Sequence, residues 1–206
     1  MKTLTKILLF LFVLASCKEP TEVDDNYLRE IIDQYNMIKP LKPGYFWKYD
    51  YSRYNMEGKE IFSATKEEKV ISDTIFNNQR WYFTTKNKDI LQTNYADGLH
   101  FRELLEDDSF IEWVEIKFPA ETGFSWISRK ITYKVIKTDT VINVPAGYFQ
   151  CIYYQGREFD PDKNLWITHD IFYSKGVGLI KSRMTERDEY STTESSLHEL
   201  IEYRLE

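Results

Sequence analysis

The chain is short of positive charge. Its 206 residues include 27 Lys and Arg against 33 Asp and Glu, which gives a formal net charge of −6. No dense basic cluster interrupts this balance, whereas a protein that grips nucleic acid neutralises phosphates with a basic face. We therefore expect no nucleic-acid partner.

The sequence also lacks a hydrophobic run long enough to cross a bilayer as a helix, which takes about 20 residues. The apolar run at 7–15 follows Lys2 and Lys6 and ends in small residues. This pattern is typical of a secretory signal. A buried amphipathic helix is disfavoured because no polar face interrupts the run. We expect residues 1–16 to form a signal peptide.

The end of this run, Leu14-Ala15-Ser16-Cys17, resembles the bacterial lipobox. The resemblance implies a diacylglyceryl group on the Cys17 thiol, hence a membrane partner reached through a lipid anchor. Each buried CH₂ contributes about 0.8 kcal/mol to membrane binding, so two or three acyl chains would anchor the protein permanently. Residues 17–25 read as a polar tether. Lys18 stands where inner-membrane retention signals have Asp, which favours the bacterial outer membrane and leaves its periplasmic and surface faces open.

Cysteine is scarce, with only Cys17 and Cys151 in the chain. If Cys17 is acylated, Cys151 has no intramolecular partner, and core burial has to stabilise the mature domain. A nucleophilic cysteine needs a histidine and an acid that converge on it. Alternation instead places Phe149 and Tyr153 on the face of Cys151, which predicts a small core hydrophobe with a raised pKa.

Glycine and proline are few, 8 and 6, whereas aromatic residues reach 16%, a composition that favours strands. The stripe of Leu28, Ile31, Ile32 and Tyr35 predicts one helix over 26–38. From Gly44 onward the period changes to two. We expect one β-rich domain spanning 26–206.

About eleven strands joined by tight turns predict a mainly-β fold with antiparallel pairing. So many twisted strands must curl or split into layers. We favour a strongly curved sheet or open barrel with the N-terminal helix against one face or rim, and a two-sheet β-sandwich is the alternative. The segment 197–205 fits both a strand and a helix, and we choose the strand. The main turn signals are Asn77-Asn78, Asp97-Gly98 as a type I′ hairpin, Val144–Gly147 and Gly176–Gly178.

Three segments carry a further resemblance: Pro40–Tyr49, Val144-Pro145-Ala146-Gly147-Tyr148-Phe149 and Gly176-Val177-Gly178-Leu179-Ile180-Lys181. They resemble the entry, middle and late strands of certain secreted bacterial lipoproteins of unknown function. The resemblance covers most of 40–205 and implies a fold similar to the half-barrel of the lipoprotein carriers LolA and LolB. It brings no catalytic residues.

Catalytic and metal-binding motifs are absent from the sequence. Asp160–Asn164 opens like a calcium loop, but Leu165 and Ile171 stand where an EF-hand needs Gly and Glu, so a turn explains it better. The histidines have no partner at zinc-ligand spacing; they are His100, His169 and His198. We predict no metal, no cofactor and no catalytic residue, hence no enzyme.

The aromatic excess is the strongest functional hint. Aromatic side chains on an open sheet face stack sugars or hold lipid tails. The simpler interpretation, which we favour, is that they fill the core of a thin curved sheet. The candidate ligand-binding residues are Trp47, Trp81, Trp113, Trp126 and Trp166.

Two tripeptides, Asp73-Thr74-Ile75 and Asp139-Thr140-Val141, resemble acceptors for periplasmic O-glycosylation. They make Thr74 and Thr140 candidate modification sites, although both tripeptides also suit turn-to-strand junctions.

Three functions stay open at this point. The first is a non-enzymatic, outer-membrane-anchored β-domain that binds an apolar ligand, a glycan or an envelope protein. The second is a structural or assembly accessory lipoprotein without a small ligand. The third is a hydrolase whose site is assembled from dispersed residues.

Overall fold

The computed structural model describes residues 37–86, 89–105, 109–188 and 192–205, and within these ranges the chain is built from twelve β-strands. In chain order, β1 to β12 are Phe46–Asn55, Glu60–Phe76, Gln79–Thr84, Ile90–Tyr95, Gly98–Leu104, Phe110–Lys117, Ser125–Ser128, Ile131–Val144, Gly147–Asp160, Leu165–Ser174, Gly178–Arg187 and Thr192–Arg204. The predicted mainly-β fold is confirmed, with one strand more than the eleven expected. The final segment is the predicted strand.

The predicted helix over 26–38 lies almost wholly outside the described residues. Its last two positions, Met37 and Ile38, are described and form a bend, so the helix does not extend to Ile38. The sheet belongs to a compact unit that spans 34–206.

All twelve strands form one antiparallel sheet, so the two-sheet sandwich is wrong. The strand order in the single sheet is β6-β5-β4-β3-β2-β1-β12-β11-β10-β9-β8-β7. Nearly all strands that are consecutive in the chain are neighbours in the sheet, and β12 returns to pair with β1. Only β6 and β7, the two ends of this order, are consecutive strands without ladder pairing in the described residues. The sheet is therefore an up-and-down barrel left open along one seam.

Side chains bridge that seam. The Tyr154 hydroxyl donates to the Lys117 carbonyl at 2.9 Å. Arg129, in the β7–β8 turn, lies 4.6 Å from the ring centroid of Trp113 and 3.3 Å from the Glu103 carboxylate. The open barrel is thus held together by side chains where backbone pairing stops.

The core lies on the inner face of this sheet. Residues two apart on one strand share a face, and the largest fully buried side chains of the inner cluster come from strands all around the sheet: Trp47, Val70, Leu99, Ile116, Val135, Tyr154, Ile180 and Leu200. A second cluster covers the outer face of β3–β6, where Trp81 and Leu91 are buried outside the inner cluster. There the Arg102 guanidinium lies 4.2 Å from the Trp81 ring centroid.

Strict alternation fails in β9. Phe149 packs against the core and Cys151 is buried in it, as predicted, but the next fully buried residue is Tyr154. Tyr153 instead stacks on Phe172 and hydrogen-bonds Asp170, so its predicted place beside Cys151 is wrong. The change coincides with two register shifts between β8 and β9, which together leave two extra residues in β8.

Two turns show how the hairpins are set. Asn77 and Asn78 both have positive φ, 49° and 61°, as a type I′ turn needs. Between β4 and β5 the turn residues are Ala96 and Asp97, not the predicted Asp97-Gly98, and Gly98 is the first residue of β5. Gly98 is required for a close approach, because a Cβ there would lie 2.0 Å from the Ile116 carbonyl oxygen.

Candidate ligand-binding site

The segment before β1 fills part of the inner face. Ile38, Lys39 and Leu41 are all buried. The Met37 carbonyl accepts a hydrogen bond from the Gly176 amide at 2.9 Å, and the Lys39 carbonyl accepts one from Asn94 Nδ2 at 2.8 Å. The segment is therefore part of the barrel's packing.

Lys39 carries a charge into this interior and meets a complete set of partners there. Its Nζ donates to Glu68 Oε1 at 2.7 Å and to Gln92 Oε1 at 2.9 Å. Gln92 Nε2 donates to the same Glu68 oxygen at 2.8 Å. The ammonium also lies 4.7 Å from the ring centroid of Trp47. We call Lys39, Glu68 and Gln92 the buried triad.

The triad is charged at neutral pH. Burial alone raises the pKa of Glu68, but the charges of Lys39 and Lys86 and the hydrogen bonds outweigh it and lower the pKa to about 2. Burial lowers the pKa of Lys39, and the Glu68 carboxylate opposes that shift. A buried pair of this kind holds a fold in register because neither partner tolerates the loss of the other.

The packed inner core ends at Tyr49 on β1, Glu68 on β2 and Leu200 on β12. Tyr51 follows Tyr49 on the inner side of β1, and Lys66 precedes Glu68 on that side of β2. On β12, His198 stands two residues before the fully buried Leu200. Tyr51 and His198 are only half-buried, and Lys66 is exposed. The inner face thus passes from a sealed core to an open surface.

The open surface is a group of rings and cations. The Tyr51 and His198 ring centroids lie 4.5 Å apart, and Phe62, 48% exposed, meets Tyr51 edge-on at 5.9 Å. Lys66 Nζ lies 3.4 Å from the Tyr51 ring centroid and 3.5 Å from His198 Nε2. Lys86 follows β3 and acts on the pKa values of both Lys66 and His198. We call these five residues the Tyr51 cluster.

Two members of the Tyr51 cluster, Lys66 and His198, lack an ion-pair partner among the described residues. Burial, Lys66 and Lys86 together lower the pKa of His198 to about 4. Burial, and then Lys86, lower the pKa of Lys66. Within the described ranges no carboxylate forms an ion pair with Lys66, Lys86 or His198. A lysine that lies over a tyrosine ring and against an imidazole, without an ion-paired carboxylate, is unusual in a purely structural surface and marks a candidate binding site.

The five predicted tryptophans do not converge on this cluster. Trp47 is in the inner core, where Nε1 donates to the Val177 carbonyl at 2.7 Å. Trp126 stacks on Tyr133 with ring centroids 5.1 Å apart, and Trp113 donates to Glu115 at 3.0 Å. Trp81 lies in the outer cluster. These four side chains are buried.

The fifth tryptophan, Trp166, is 55% exposed. It pairs across the sheet with Phe159, and the two ring centroids lie 5.2 Å apart.

The two candidate glycosylation threonines lie in different parts of the sheet. Thr74 lies opposite Trp81 in the β2–β3 ladder, and Thr140 lies opposite Cys151 in β8.

The remaining sequence candidates have simple structural roles or lie elsewhere. Cys17 lies outside the described residues. Cys151 is buried, and burial raises the pKa of its thiol to about 12, which suits a core residue and not a nucleophile. The Asp160 carboxylate accepts hydrogen bonds from the amides of Asp162 and Lys163, so the predicted turn is confirmed.

The described ranges contain no group of three or more His, Cys, Asp and Glu side chains placed to hold a metal ion. Nor do they contain a helix of the length and apolarity that a membrane crossing requires.

Sequence reasoning missed the Tyr51 cluster, although part of its signal was present. The alternation Trp47, Tyr49, Tyr51 already places Tyr51 on the core side of β1. No local pattern in the sequence joins Lys66 to His198. They are 132 residues apart in the chain and meet only because β2 and β12 flank β1.

Two cavities lie apart from the Tyr51 cluster. One, of about 550 Å³, opens beside the seam between Lys117 and Phe124. The other, of about 330 Å³, lies near the β1–β2 turn between Tyr54 and Arg183. Neither is lined by a group of rings.

Comparison with known proteins gives structural likeness only. No protein-family model and no curated protein matches the chain. A crystal structure of a candidate lipoprotein from Parabacteroides distasonis aligns with 14% identity and a TM-score of 0.45, covering 82% of this chain and 99% of that one. A candidate exported protein with a YmcC-like fold from Bacteroides fragilis aligns with 11% identity and a TM-score of 0.48, covering 82% and 100%.

Proposed function

We propose that the protein is a lipid-anchored protein of the bacterial outer membrane whose β-barrel binds a ligand with an apolar body, without catalysing a reaction. The Tyr51 cluster is the proposed binding surface. One observation carries the proposal: the inner-face core ends at Tyr49 and Leu200, and the rings beyond it stay open to solvent.

The rings of the cluster suit such a ligand. Aromatic side chains offer large apolar faces with little conformational entropy to lose, and they contribute most where they are desolvated on binding. Phe62, Tyr51 and His198 form a continuous row across β2, β1 and β12. A row of this kind forms an apolar surface along the barrel wall, which an acyl chain or another flat apolar group can contact.

The ligand is tested by native mass spectrometry of the protein purified from its own envelope. We expect a co-purified amphiphile, and we expect Tyr51→Ala to lose it because the central ring of the row is gone. Trp166→Ala is the matched control, since it removes an exposed ring from a different place. Recovery of the wild-type protein without any bound molecule would contradict the proposal.

The anchor is tested separately at Cys17. We expect Cys17→Ala to abolish metabolic labelling with an acyl-chain analogue and to free the protein from the outer-membrane fraction, because the only proposed lipid attachment atom is removed. Cys151→Ala is the control and should label like wild type. Labelling that persists in Cys17→Ala would refute the anchor.

A second candidate, an accessory subunit in an envelope assembly, is favoured by a separate apolar surface. At the tips of the β2–β3 and β5–β6 hairpins, Phe76 and Phe110 touch with ring centroids 5.6 Å apart, and both are about 40% exposed. Ile75 and Ile111, on the opposite face of the same hairpin ends, are more exposed still. Apolar patches of this kind are typical of protein-binding surfaces. Cross-linking that captures one envelope protein through Ile75, with no bound amphiphile, would favour this candidate.

A further inference from the structure

The Tyr51 cluster combines three basic side chains with an aromatic row. The basic side chains and the rings suit different chemical groups of a ligand. Lys66 lies over the Tyr51 ring and within 3.5 Å of His198 Nε2. Lys86, which follows β3, adds to the positive field at both residues. Lys66 and His198 thus meet on the inner face without an ion-paired carboxylate among the described residues.

Glu68 is two residues from Lys66 on the same side of β2, yet its Oε1 atom is engaged by Lys39 and Gln92 in the buried triad. Glu68 interacts electrostatically with Lys86 and offsets part of that lysine's charge. No carboxylate is among the groups that shift the pKa values of Lys66 and His198. An anion beside Lys66 and His198 therefore supplies the counter-charge that these two residues lack.

We propose that the ligand of this barrel carries an oxyanion, a carboxylate or a phosphate, which Lys66, Lys86 and His198 hold while its apolar part lies along Phe62 and Tyr51. This inference rests on the proposed binding function and adds the chemical class of the ligand. The ligand is an anionic amphiphile, because the cations and the rings share one surface.

Charge repulsion within the cluster supports the assignment. Two ammonium groups and an imidazole crowd together, and the imidazole resists protonation because burial and its two lysine neighbours disfavour its charge. An oxyanion between them reverses the sign of the local field. Lys66 then donates a charge-assisted hydrogen bond to the anion, stronger than a neutral one. Protonation of His198 becomes easier, so binding takes up a proton and strengthens as the pH falls.

The test separates the charge from the apolar body. The full chain carrying Cys17→Ala, which is free of its own lipid, is titrated with dodecanoate, dodecyl phosphate, dodecan-1-ol and inorganic phosphate. We expect the two amphiphilic anions to bind at least tenfold more tightly than the alcohol. Lys66→Gln should remove most of that advantage.

Lys69→Gln is the matched control. Lys69 lies on the same strand but points to the opposite face, as its neighbours Glu68 and Val70 are both buried inside. It should bind all four compounds like the parent chain. The imidazole signals of His198 give a second readout, since dodecanoate should raise its pKa in the parent chain and much less in Lys66→Gln.

Each other outcome has a definite meaning. Equal affinity for dodecanoate and dodecan-1-ol, or a loss in Lys69→Gln as large as in Lys66→Gln, overturns the oxyanion inference and leaves the apolar binding function standing. Inorganic phosphate that binds as tightly as dodecyl phosphate overturns the amphiphile, because the chain would then add nothing. If none of the four compounds binds, the proposed binding function itself fails.

Discussion

Two places on the inner face of the barrel contain the same kinds of residue and differ in everything else. In the buried triad, a lysine lies beside a tryptophan ring and is neutralised by Glu68 at 2.7 Å. In the Tyr51 cluster, a lysine lies over a tyrosine ring and faces a histidine and a second lysine. Glu68 and Lys66, one from each place, are two residues apart on β2.

The difference separates what holds the fold from what is available to a ligand. A buried charge with a full set of partners is costly to disturb, and its role is to fix the position of the segment that brings Lys39 inside. The half-exposed basic group of the Tyr51 cluster does not stabilise the fold. Its unfavourable electrostatic free energy is offset by the packing of the rest of the sheet. Variants at the two places should therefore change different measurements.

The largest effect is expected at the triad. Glu68→Gln leaves the buried ammonium of Lys39 without a counter-charge, and breaking such a pair costs about 3–5 kcal/mol. We expect a loss of that size in the free energy of unfolding, measured in urea at pH 7. Lys66→Gln, two residues away on the same face, should change it by no more than about 0.5 kcal/mol, as is usual for exposed positions.

The double variant Lys39→Met/Glu68→Gln sharpens this comparison. It removes both charges at once, so most of the loss should be recovered if the unpaired ammonium is the cause. A loss below about 1 kcal/mol in Glu68→Gln, or an equal loss in Lys66→Gln, would erase the distinction between the two places.

The sequence was informative where local rules decide the structure. Alternation along Tyr45–Tyr51 predicted β1 and its buried side, and Asn77-Asn78 predicted a turn that the positive φ angles bear out. The scarcity of glycine and proline and the abundance of aromatic residues predicted the strand-rich fold. Each of these signals depends on residues within a few positions of one another.

The site depends on long-range register, which no local pattern encodes. Lys39 reaches Glu68 across 29 residues and Gln92 across 53. The meeting of Lys66 with His198 follows from the return of β12 to β1, a feature of topology. Register shifts add to the difficulty, because β8 has two extra residues opposite the stretch of β9 in which the buried positions pass from Cys151 to Tyr154.

The tryptophans illustrate the limit of a compositional hint. Five of them suggested a stacking surface, yet four are buried and the fifth pairs with Phe159 away from the Tyr51 cluster. Large rings are used first to fill a barrel. The rings left for a ligand are smaller in number and belong to residues that composition alone does not single out.

A smaller effect than the triad's is expected from pH. Because the folded state lowers the pKa of His198 from 6.5 to about 4, the unfolded chain binds more protons than the folded chain between these values. Stability contributed by this residue is therefore present above pH 6.5 and lost as the pH falls towards 4. After allowance for its partial exposure, we expect a change of about 1–2 kcal/mol, since one pKa unit corresponds to about 1.4 kcal/mol.

The measurement is the free energy of unfolding at pH 7 and at pH 5, compared between the wild type and His198→Gln. The variant should lose less stability on acidification, because its side chain does not titrate. Lys66→Gln should fall between the two, since it removes one of the two lysines that oppose the imidazolium while Lys86 stays in place. Two results would contradict this account of the Tyr51 cluster: an equal response of the three proteins to pH, or an imidazole of His198 that titrates near 6.5 in the wild type. Either result would mean that burial and the two lysines do not disfavour the charge of His198.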